Sequence, residues 1–327
     1  MIVAKRIIWI DWAKAILIYL MVVGHCFPVN WENQLIYAFH MPAFFVISGY
    51  LYKSHHWLKT LKSFGIPVLF FSAINMLIYS LPKLAKGTFD SSDLFLRIFV
   101  PFWGPGPMGL EYITLFPGVW FIIALFGCRL LMGDIPAFSF IRKYKYWSLT
   151  AFLLFLVFEP YLFSYNPLQD YKLYRTVASM PFVLLGYCMK DFFHIEKLKW
   201  GMIILCAVAF VGLSFYSGRC DMLSYHFYPN YGVFFICAIL GSLVLYYLCS
   251  KLHGNIVIEN ISFGTMMVLA LNFNLRSYIN LFFNKIGLSW LTADHYFYPW
   301  FVALLIVAIC YFPIVFLRKH APILLGK

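Results

Sequence analysis

The sequence predicts an all-α integral membrane protein, a polytopic bundle of about ten transmembrane helices. Of its 327 residues 63% are hydrophobic and 12% are charged, and the mean hydropathy is +0.80. Soluble domains carry roughly 25% charged residues, so the composition excludes that class. Apolar stretches of about 20 residues, the length that crosses a bilayer, recur along the chain. Because they leave no space for a soluble domain, we expect residues 1–327 to form a single transmembrane domain.

Each apolar stretch marks one predicted helix. The first stretch carries ionisable residues and has no small-residue cleavage site, so we expect a retained helix and not a signal peptide. The predicted spans are 8–28, 35–52, 64–82, 115–132, 146–164, 175–191, 200–217, 230–250, 258–278 and 297–317.

The net charge of +12 comes from Lys and Arg residues in short loops between the apolar spans. If the N-terminus is cytoplasmic, the loops on that side carry twice as many Lys and Arg residues as the outer loops. Cytoplasmic loops attract positive charge, so both termini are predicted to be cytoplasmic. No nucleic-acid module is recognisable. The eight Cys residues have no zinc-like spacing, and we predict neither a metal site nor a bound cofactor.

Four ionisable residues lie in the first two apolar stretches: Asp11, Lys14, His25 and His40. Ionisable groups are costly in hydrocarbon, which makes them functional candidates. Lys14 and His25 are eleven positions apart, which brings them within roughly 20° of one helix face and about 16 Å apart along the axis. A His, with an ordinary pKa of about 6.5, can accept a proton from a hydroxyl. Two alternatives stay open: His25 only forms a hydrogen bond to a neighbouring helix, and Asp11 and Lys14 form an ion pair at the membrane surface.

Four motifs in the first 125 residues resemble a known family. They are IDWAKAILIYLMVVGH, FHMPAFFVISGYLYK, KTLKSFGIP and GVWFIIAL. In this order they are similar to the acyltransferase-3 family of membrane acyltransferases, and particularly to its fucose-4-O-acetylase-like branch of polysaccharide O-acetyltransferases.

The resemblance implies catalytic and donor-binding roles for particular residues. Lys14 and His25, with ten residues between them, match the family's basic residue and essential His. His25 would therefore be catalytic, and Asp11 and Lys14 would lie with it on one polar stripe of the first helix. Lys59 and Lys62 match an Arg-x-x-Arg motif that is thought to bind acyl-CoA phosphates. Lys is a good point charge for phosphate but lacks the bidentate fork of Arg. Alternatively, these two lysines do not bind acyl-CoA and are ordinary positive charges of a cytoplasmic loop.

The remaining candidates follow from the same motifs and from the longest outer connection. Trp120 matches the family's Trp-Phe pair on the donor side, and His40 and Ser48 match the second motif on the acceptor side. The connection at 82–114 contains FWGPGPMGLEY and would be a lid, a re-entrant turn or an inert loop. Its Glu111 would bind sugar hydroxyls or be a solvated carboxylate.

A late helix departs from the family pattern. Many relatives carry a His there, whereas this chain has Asn272 and Asn274, which cannot titrate near neutral pH.

The resemblance implies an O-acyltransferase of the bacterial inner membrane. It would move an acetyl or other short acyl group from acetyl-CoA, a co-substrate, to a hydroxyl of a cell-surface polysaccharide or lipid-linked glycan. His25 would act as general base on that hydroxyl or would carry the acyl group covalently.

Two rival functions stay open, namely a proton-coupled transporter or glycan flippase and a non-catalytic membrane partner. The clustering of titratable residues in two helices argues against the first, and the Lys14–His25 spacing argues against the second. The oligomeric state and the acceptor sugar stay open as well.

Overall fold

A computed structural model of the protein describes residues 6–27, 30–92, 118–162, 174–191, 194–288 and 296–327. Within these ranges the regular structure is helical, with one isolated antiparallel bridge between Asp221 and His226. The all-α fold class is therefore confirmed. In the described ranges the α-helices are α1 (Ile8–Cys26), α2 (Trp31–Tyr50), α3 (Trp57–Ala85), α4 (Val119–Arg129), α5 (Ser139–Lys143), α6 (Lys145–Leu162), α7 (Tyr174–Met189), α8 (Trp200–Ser217), α9 (Tyr231–Ser250), α10 (Ile256–Phe263), α11 (Thr265–Lys285) and α12 (Tyr298–His320).

Within the described residues, every predicted span overlaps a helix or two consecutive helices, but only some of these helices are long and apolar enough to cross a membrane. By length and composition, five described helices can cross a membrane, or up to seven if each of two bent pairs counts as one span. The five are α1, α3, α8, α9 and α12. Helix α7 is shorter than a full span, and α2 and α6 are less apolar. The count of ten therefore stays a prediction.

Polar residues define where several helices begin. Asn30, Asn230 and Asn255 precede α2, α9 and α10, and each side-chain oxygen accepts a hydrogen bond from a backbone N–H of the first turn, at 2.7–3.0 Å. These N-caps satisfy donors that a helix leaves unpaired at its start.

The predicted span at 258–278 is wrong as a single straight helix. The chain bends by 77° between α10 and α11, at Gly264. A Cβ atom at Gly264 would lie 2.3 Å from the Ile314 side chain, so a residue with a side chain would displace α12 there. The bend leaves the carbonyl of Ser262 without a continuing helix, and the Lys14 ammonium group donates a hydrogen bond to it at 2.5 Å. A cation is favourable at a helix C-terminus.

Helices α1, α2, α7 and α9 form the centre of the bundle, and α3, α8 and α12 lie outside. The outer helices expose large apolar side chains such as Leu69 on α3, Leu205 on α8 and Phe312 on α12. Such bands are expected where a helix faces lipid. The helices that carry the ionisable candidates are therefore shielded from lipid by the others.

A buried carboxylate fixes the connection between α2 and α3. Asp134 accepts hydrogen bonds from the Tyr52 hydroxyl at 2.8 Å, the His55 backbone N–H at 3.1 Å and the Thr60 hydroxyl at 2.5 Å. The guanidinium group of Arg129 lies 3.3 Å from it. Because a buried carboxylate needs such partners, this cluster holds the α2–α3 connection against the end of α4.

Candidate active site

Three adjacent cavities follow α1 from the Lys14 end to the His25 end. The entrance cavity has a volume of about 470 Å³, the central cavity about 320 Å³ and the histidine cavity about 70 Å³. Lys14 borders both the entrance and the central cavity, and Met21 borders both the central and the histidine cavity. The two ends of the polar stripe on α1 (Asp11, Lys14 and His25) thus face a row of neighbouring cavities that share lining residues.

The entrance cavity is strongly cationic. The basic side chains that line it come from distant parts of the sequence: Arg6, Lys14, Lys53, Lys190 and Lys327. Asp11 also lines this cavity and is already paired with Arg6, at 2.5 Å. Burial lowers the pKa of Lys327, and the nearby charges of Arg6 and Arg129 lower it further, while Asp11 opposes them. An anion in this cavity would relieve that repulsion.

Asp11 and Lys14 do not form the surface ion pair considered from the sequence. The Asp11 carboxylate accepts hydrogen bonds from Arg6 and from the Ser262 hydroxyl, the latter at 2.6 Å, while Lys14 binds the Ser262 carbonyl. Both residues therefore hold α1 against the bend between α10 and α11.

The central cavity is mainly apolar. Ser48 lines it from α2, and Lys14 and Arg129 lie among its polar residues. The other walls are largely aliphatic and aromatic side chains of α1, α2, α4 and α11, among them Ile18, Met41, Phe44, Phe121, Leu125 and Leu269. Ser48 is therefore separated from the histidine cavity, whose lining residues do not include it.

The histidine cavity brings together His25 and His40, which sequence analysis placed on different helices. The Tyr37 hydroxyl lies 3.2 Å from His25 Nδ1, and the Tyr37 ring packs edge-on against His40 with centroids 5.2 Å apart. His40 Nδ1 lies 2.7 Å from the Ile36 carbonyl. Since a carbonyl only accepts, this nitrogen carries the proton and Nε2 of neutral His40 carries the lone pair.

The backbone of His25 is held as well. Arg276 of α11 donates a hydrogen bond to the His25 carbonyl, and the Phe273 ring lies 4.9 Å from the His25 ring. At Gly24 a Cβ atom would lie 3.2 Å from both Ile36 and Tyr37, so α1 and α2 approach closely beside the imidazoles. The local packing therefore fixes the position of His25 from two sides.

Trp120 also lines the histidine cavity. The resemblance assigns it to the donor, and the structure locates it beside the imidazoles, away from the cationic entrance. Two further residues of this cavity, Arg219 and Asp221, were not predicted from the sequence. They lie in the connection between α8 and α9, and no sequence motif or spacing relates that connection to α1.

The other candidates lie away from the cavities. Lys59 and Lys62 are exposed on the first turns of α3 and do not line the described cavities, so their role in binding phosphate stays a prediction. Glu111 and the FWGPGPMGLEY segment lie outside the described residues. Asn272 donates to the Leu269 carbonyl at 2.6 Å, and Asn274 donates to Asn75 of α3 at 2.7 Å.

The chain matches a family model described as an acyltransferase domain over residues 7–318. It is similar to two proteins named "Nodulation protein NolL". The one from Mesorhizobium japonicum is 24% identical over 229 residues, which cover 61% of this chain and 53% of the relative. The one from Sinorhizobium fredii is 31% identical over 204 residues, which cover 56% of this chain and 48% of the relative.

The chain thus spans about half the length of these curated relatives. No solved structure matches it. Since the family model covers nearly the whole sequence, from α1 to the end of α12, this membrane protein belongs to the acyltransferase-3 family.

Proposed function

We propose that the protein is an O-acyltransferase that moves an acetyl or other short acyl group from acyl-CoA to a hydroxyl of a cell-surface polysaccharide or lipid-linked glycan. One observation carries this proposal: His25 and His40 share a small cavity that adjoins an apolar cavity along α1, which in turn adjoins a cationic entrance. Family membership supports the reaction class.

The cavities suit the parts of an acyl-CoA. The entrance offers several Lys and Arg side chains for the phosphates, and its positive potential would attract an anionic donor. The apolar central cavity suits the arm that carries the thioester. The histidine cavity is small, about 70 Å³, which favours a short acyl group over a long chain.

We assign the entrance to the cytoplasmic face of the bacterial inner membrane. Acyl-CoA is a cytoplasmic donor, and the loops on that side of the predicted topology carry most of the positive charge. The acyl group would then reach His25 about 16 Å further along α1, toward the outer face.

His25 would act as general base. When its Nδ1 donates to the Tyr37 hydroxyl, Nε2 is left to take the proton of the acceptor hydroxyl. The hydroxyl oxygen then attacks the thioester carbonyl, the C–S bond breaks, and the thiolate takes the proton from His25. The lone pair on His40 Nε2 would orient the acceptor by accepting a hydrogen bond from a second hydroxyl.

The first test compares transfer of radiolabel from acetyl-CoA to glycan in inverted membrane vesicles. We expect His25→Ala to lose about 10²-fold or more of the activity, because general base catalysis contributes that much. His253→Ala is the matched control, since its side chain is exposed and lies outside the described cavities. Equal activity of the native protein and the His25 variant, at equal expression, would refute the role of His25.

A second experiment separates direct transfer from a covalent acyl-His. Protein is mixed with labelled acetyl-CoA without acceptor and is quenched under conditions that preserve acyl-imidazole. Label on the native protein that disappears in His25→Ala would support the covalent route. No label on protein that is active with acceptor would support direct attack.

A further inference from the structure

The connection between α8 and α9, residues 218–230, forms one wall of the histidine cavity. Asp221 and His226 bridge this connection through two backbone hydrogen bonds of 2.9 Å. The Asp221 carboxylate accepts from the Leu223 N–H at 2.8 Å, and Arg175 of α7 donates to the Leu223 carbonyl at 2.7 Å. These bonds hold the connection in a defined conformation against the bundle.

This conformation puts the guanidinium group of Arg219 beside the imidazoles. Its Cζ lies 4.4 Å from the centroid of the Tyr37 ring, and the hydroxyl of the same ring lies 3.2 Å from His25 Nδ1. A cation stacked on an aromatic face is attracted to it and held in place. The charge of Arg219 therefore stays on the Tyr37 ring, whose hydroxyl contacts His25.

Arg219 keeps hydrogen-bonding capacity for a ligand. Of the carboxylates in the described ranges, that of Asp221 lies 3.8 Å from its Nη2, beyond hydrogen-bond distance, and already binds the Leu223 backbone. The buried Nε atom of Arg219 has no hydrogen-bond partner within the part of the chain that the structure describes. A buried donor without a partner costs free energy, which a bound oxygen would recover.

Acyl transfer needs such a donor. When the acceptor oxygen bonds to the thioester carbon, the carbonyl electron pair moves to its oxygen, which becomes an anion until the C–S bond breaks. Preorganised donors in a site shielded from water stabilise that charge strongly. Among the described residues that line the histidine cavity, Arg219 carries the permanent positive charge.

We infer that Arg219 is a further catalytic residue, which donates hydrogen bonds to the acyl oxygen of the tetrahedral intermediate while His25 holds the proton of the acceptor hydroxyl. This inference rests on the proposed acyltransferase function. It gives a residue of the α8–α9 connection a part in the reaction. That connection is far in sequence from the motifs of α1 to α4.

The test measures kcat, the KM for acetyl-CoA and the KM for the acceptor glycan with purified Arg219→Ala, Arg219→Gln and Arg219→Lys proteins. Loss of an oxyanion donor is expected to lower kcat about 10²-fold with KM changed less than about threefold, since the donor acts mainly on the transition state. Arg219→Lys keeps the positive charge but loses the paired N–H donors of the guanidinium group, so it should retain part of kcat. Added guanidinium ion should restore activity to Arg219→Ala but not to His25→Ala.

His226→Ala is the control for the connection itself, because its side chain is exposed and its bridge to Asp221 uses only backbone atoms. It should keep native kcat. If Arg219→Ala does not fold, shown by a lost thermal transition, Arg219→Gln and Arg219→Lys carry the test.

Three outcomes would overturn the inference. A raised acceptor KM with unchanged kcat would make Arg219 an acceptor-binding residue, and unchanged kcat and KM would make it structural. In both cases the proposed function stands if His25→Ala is still inactive. Absence of transfer by the native protein would overturn the function and the inference together.

Discussion

Replacing Gly49 with Ala should destabilise the bundle strongly, because this residue lies where the backbones of α2 and α7 touch. A Cβ atom at Gly49 would lie 1.9 Å from the Val183 carbonyl oxygen. Across the same crossing, a Cβ atom at Gly186 would lie 1.9 Å from the Val46 carbonyl oxygen. The contact is therefore reciprocal, and no flexible side chain can move aside to relieve it.

The size of the effect follows from this geometry. An ordinary contact begins at 3.4 Å, so each Ala must separate the two helices by 3.4 minus 1.9, or 1.5 Å. Overpacking of a core costs typically 1–3 kcal/mol, and we expect about 3 kcal/mol here because backbone opposes the new methyl group. In the double variant the second methyl group enters a gap that the first has opened. Its cost should therefore be at least about 0.5 kcal/mol below the sum of the two single variants.

The free energy of unfolding is measured in mixed micelles by titration with sodium dodecyl sulfate. Gly212→Ala on α8 is the matched control, since its Cβ atom would meet nothing within 4 Å. It should stabilise the protein by about 0.5–1 kcal/mol, the ordinary advantage of Ala over Gly in a helix. A Gly49→Ala protein that is as stable as Gly212→Ala would refute the close approach of α2 and α7.

Three further predictions concern the buried carboxylate, the entrance and the tyrosine beside His25. Asp134→Asn should lower the free energy of unfolding by about 3 kcal/mol, because it breaks a buried ion pair. Asp191→Asn, whose carboxylate is 58% exposed, should cost less than about 1 kcal/mol in the same titration. Lys53→Gln with Lys190→Gln should raise the KM for acetyl-CoA about threefold per residue and weaken its dependence on salt, with kcat unchanged. If Lys59→Gln with Lys62→Gln alone has this effect, phosphate binds at α3 and not in the entrance cavity. Tyr37→Phe removes one hydrogen bond to His25 and should lower kcat roughly fivefold, equivalent to about 1 kcal/mol, in the label-transfer assay. Unchanged kcat would exclude a positioning role for the Tyr37 hydroxyl.

The sequence was sufficient to predict the helices and one stripe of the candidate site. Apolar length identifies the helices because a bilayer requires it, and the period of an α-helix aligns Lys14 with His25. The bend at Gly264 was missed because it depends on Ile314, a contact between residues fifty positions apart. Arg219 was missed for the same reason, since its place beside Tyr37 depends on how the α8–α9 connection packs.

The entrance illustrates a different limit. Lys59 and Lys62 were chosen from a local motif, but the five cations that line the entrance cavity come from four separate places in the chain: the start of α1 and the segments that follow α2, α7 and α12. Apart from Lys14, each of them taken alone looks like ordinary loop charge. Their convergence is a property of the fold, and a single sequence contains no periodic pattern that reports it.

The structure also gives a physical reason for the fixed spacing between Lys14 and His25. Two hydrogen bonds join α1 to the α10–α11 pair: the Lys14 ammonium group binds the Ser262 carbonyl near the end of α10, and Arg276 of α11 binds the His25 carbonyl. Lys14 and His25 are about 16 Å apart along α1, so the two bonds lie roughly three helical turns from each other. A one-residue insertion between Lys14 and His25 would therefore rotate one of these contacts by about 100° out of register. The spacing thus fixes the entrance cavity and the histidine cavity relative to the same two helices, α10 and α11.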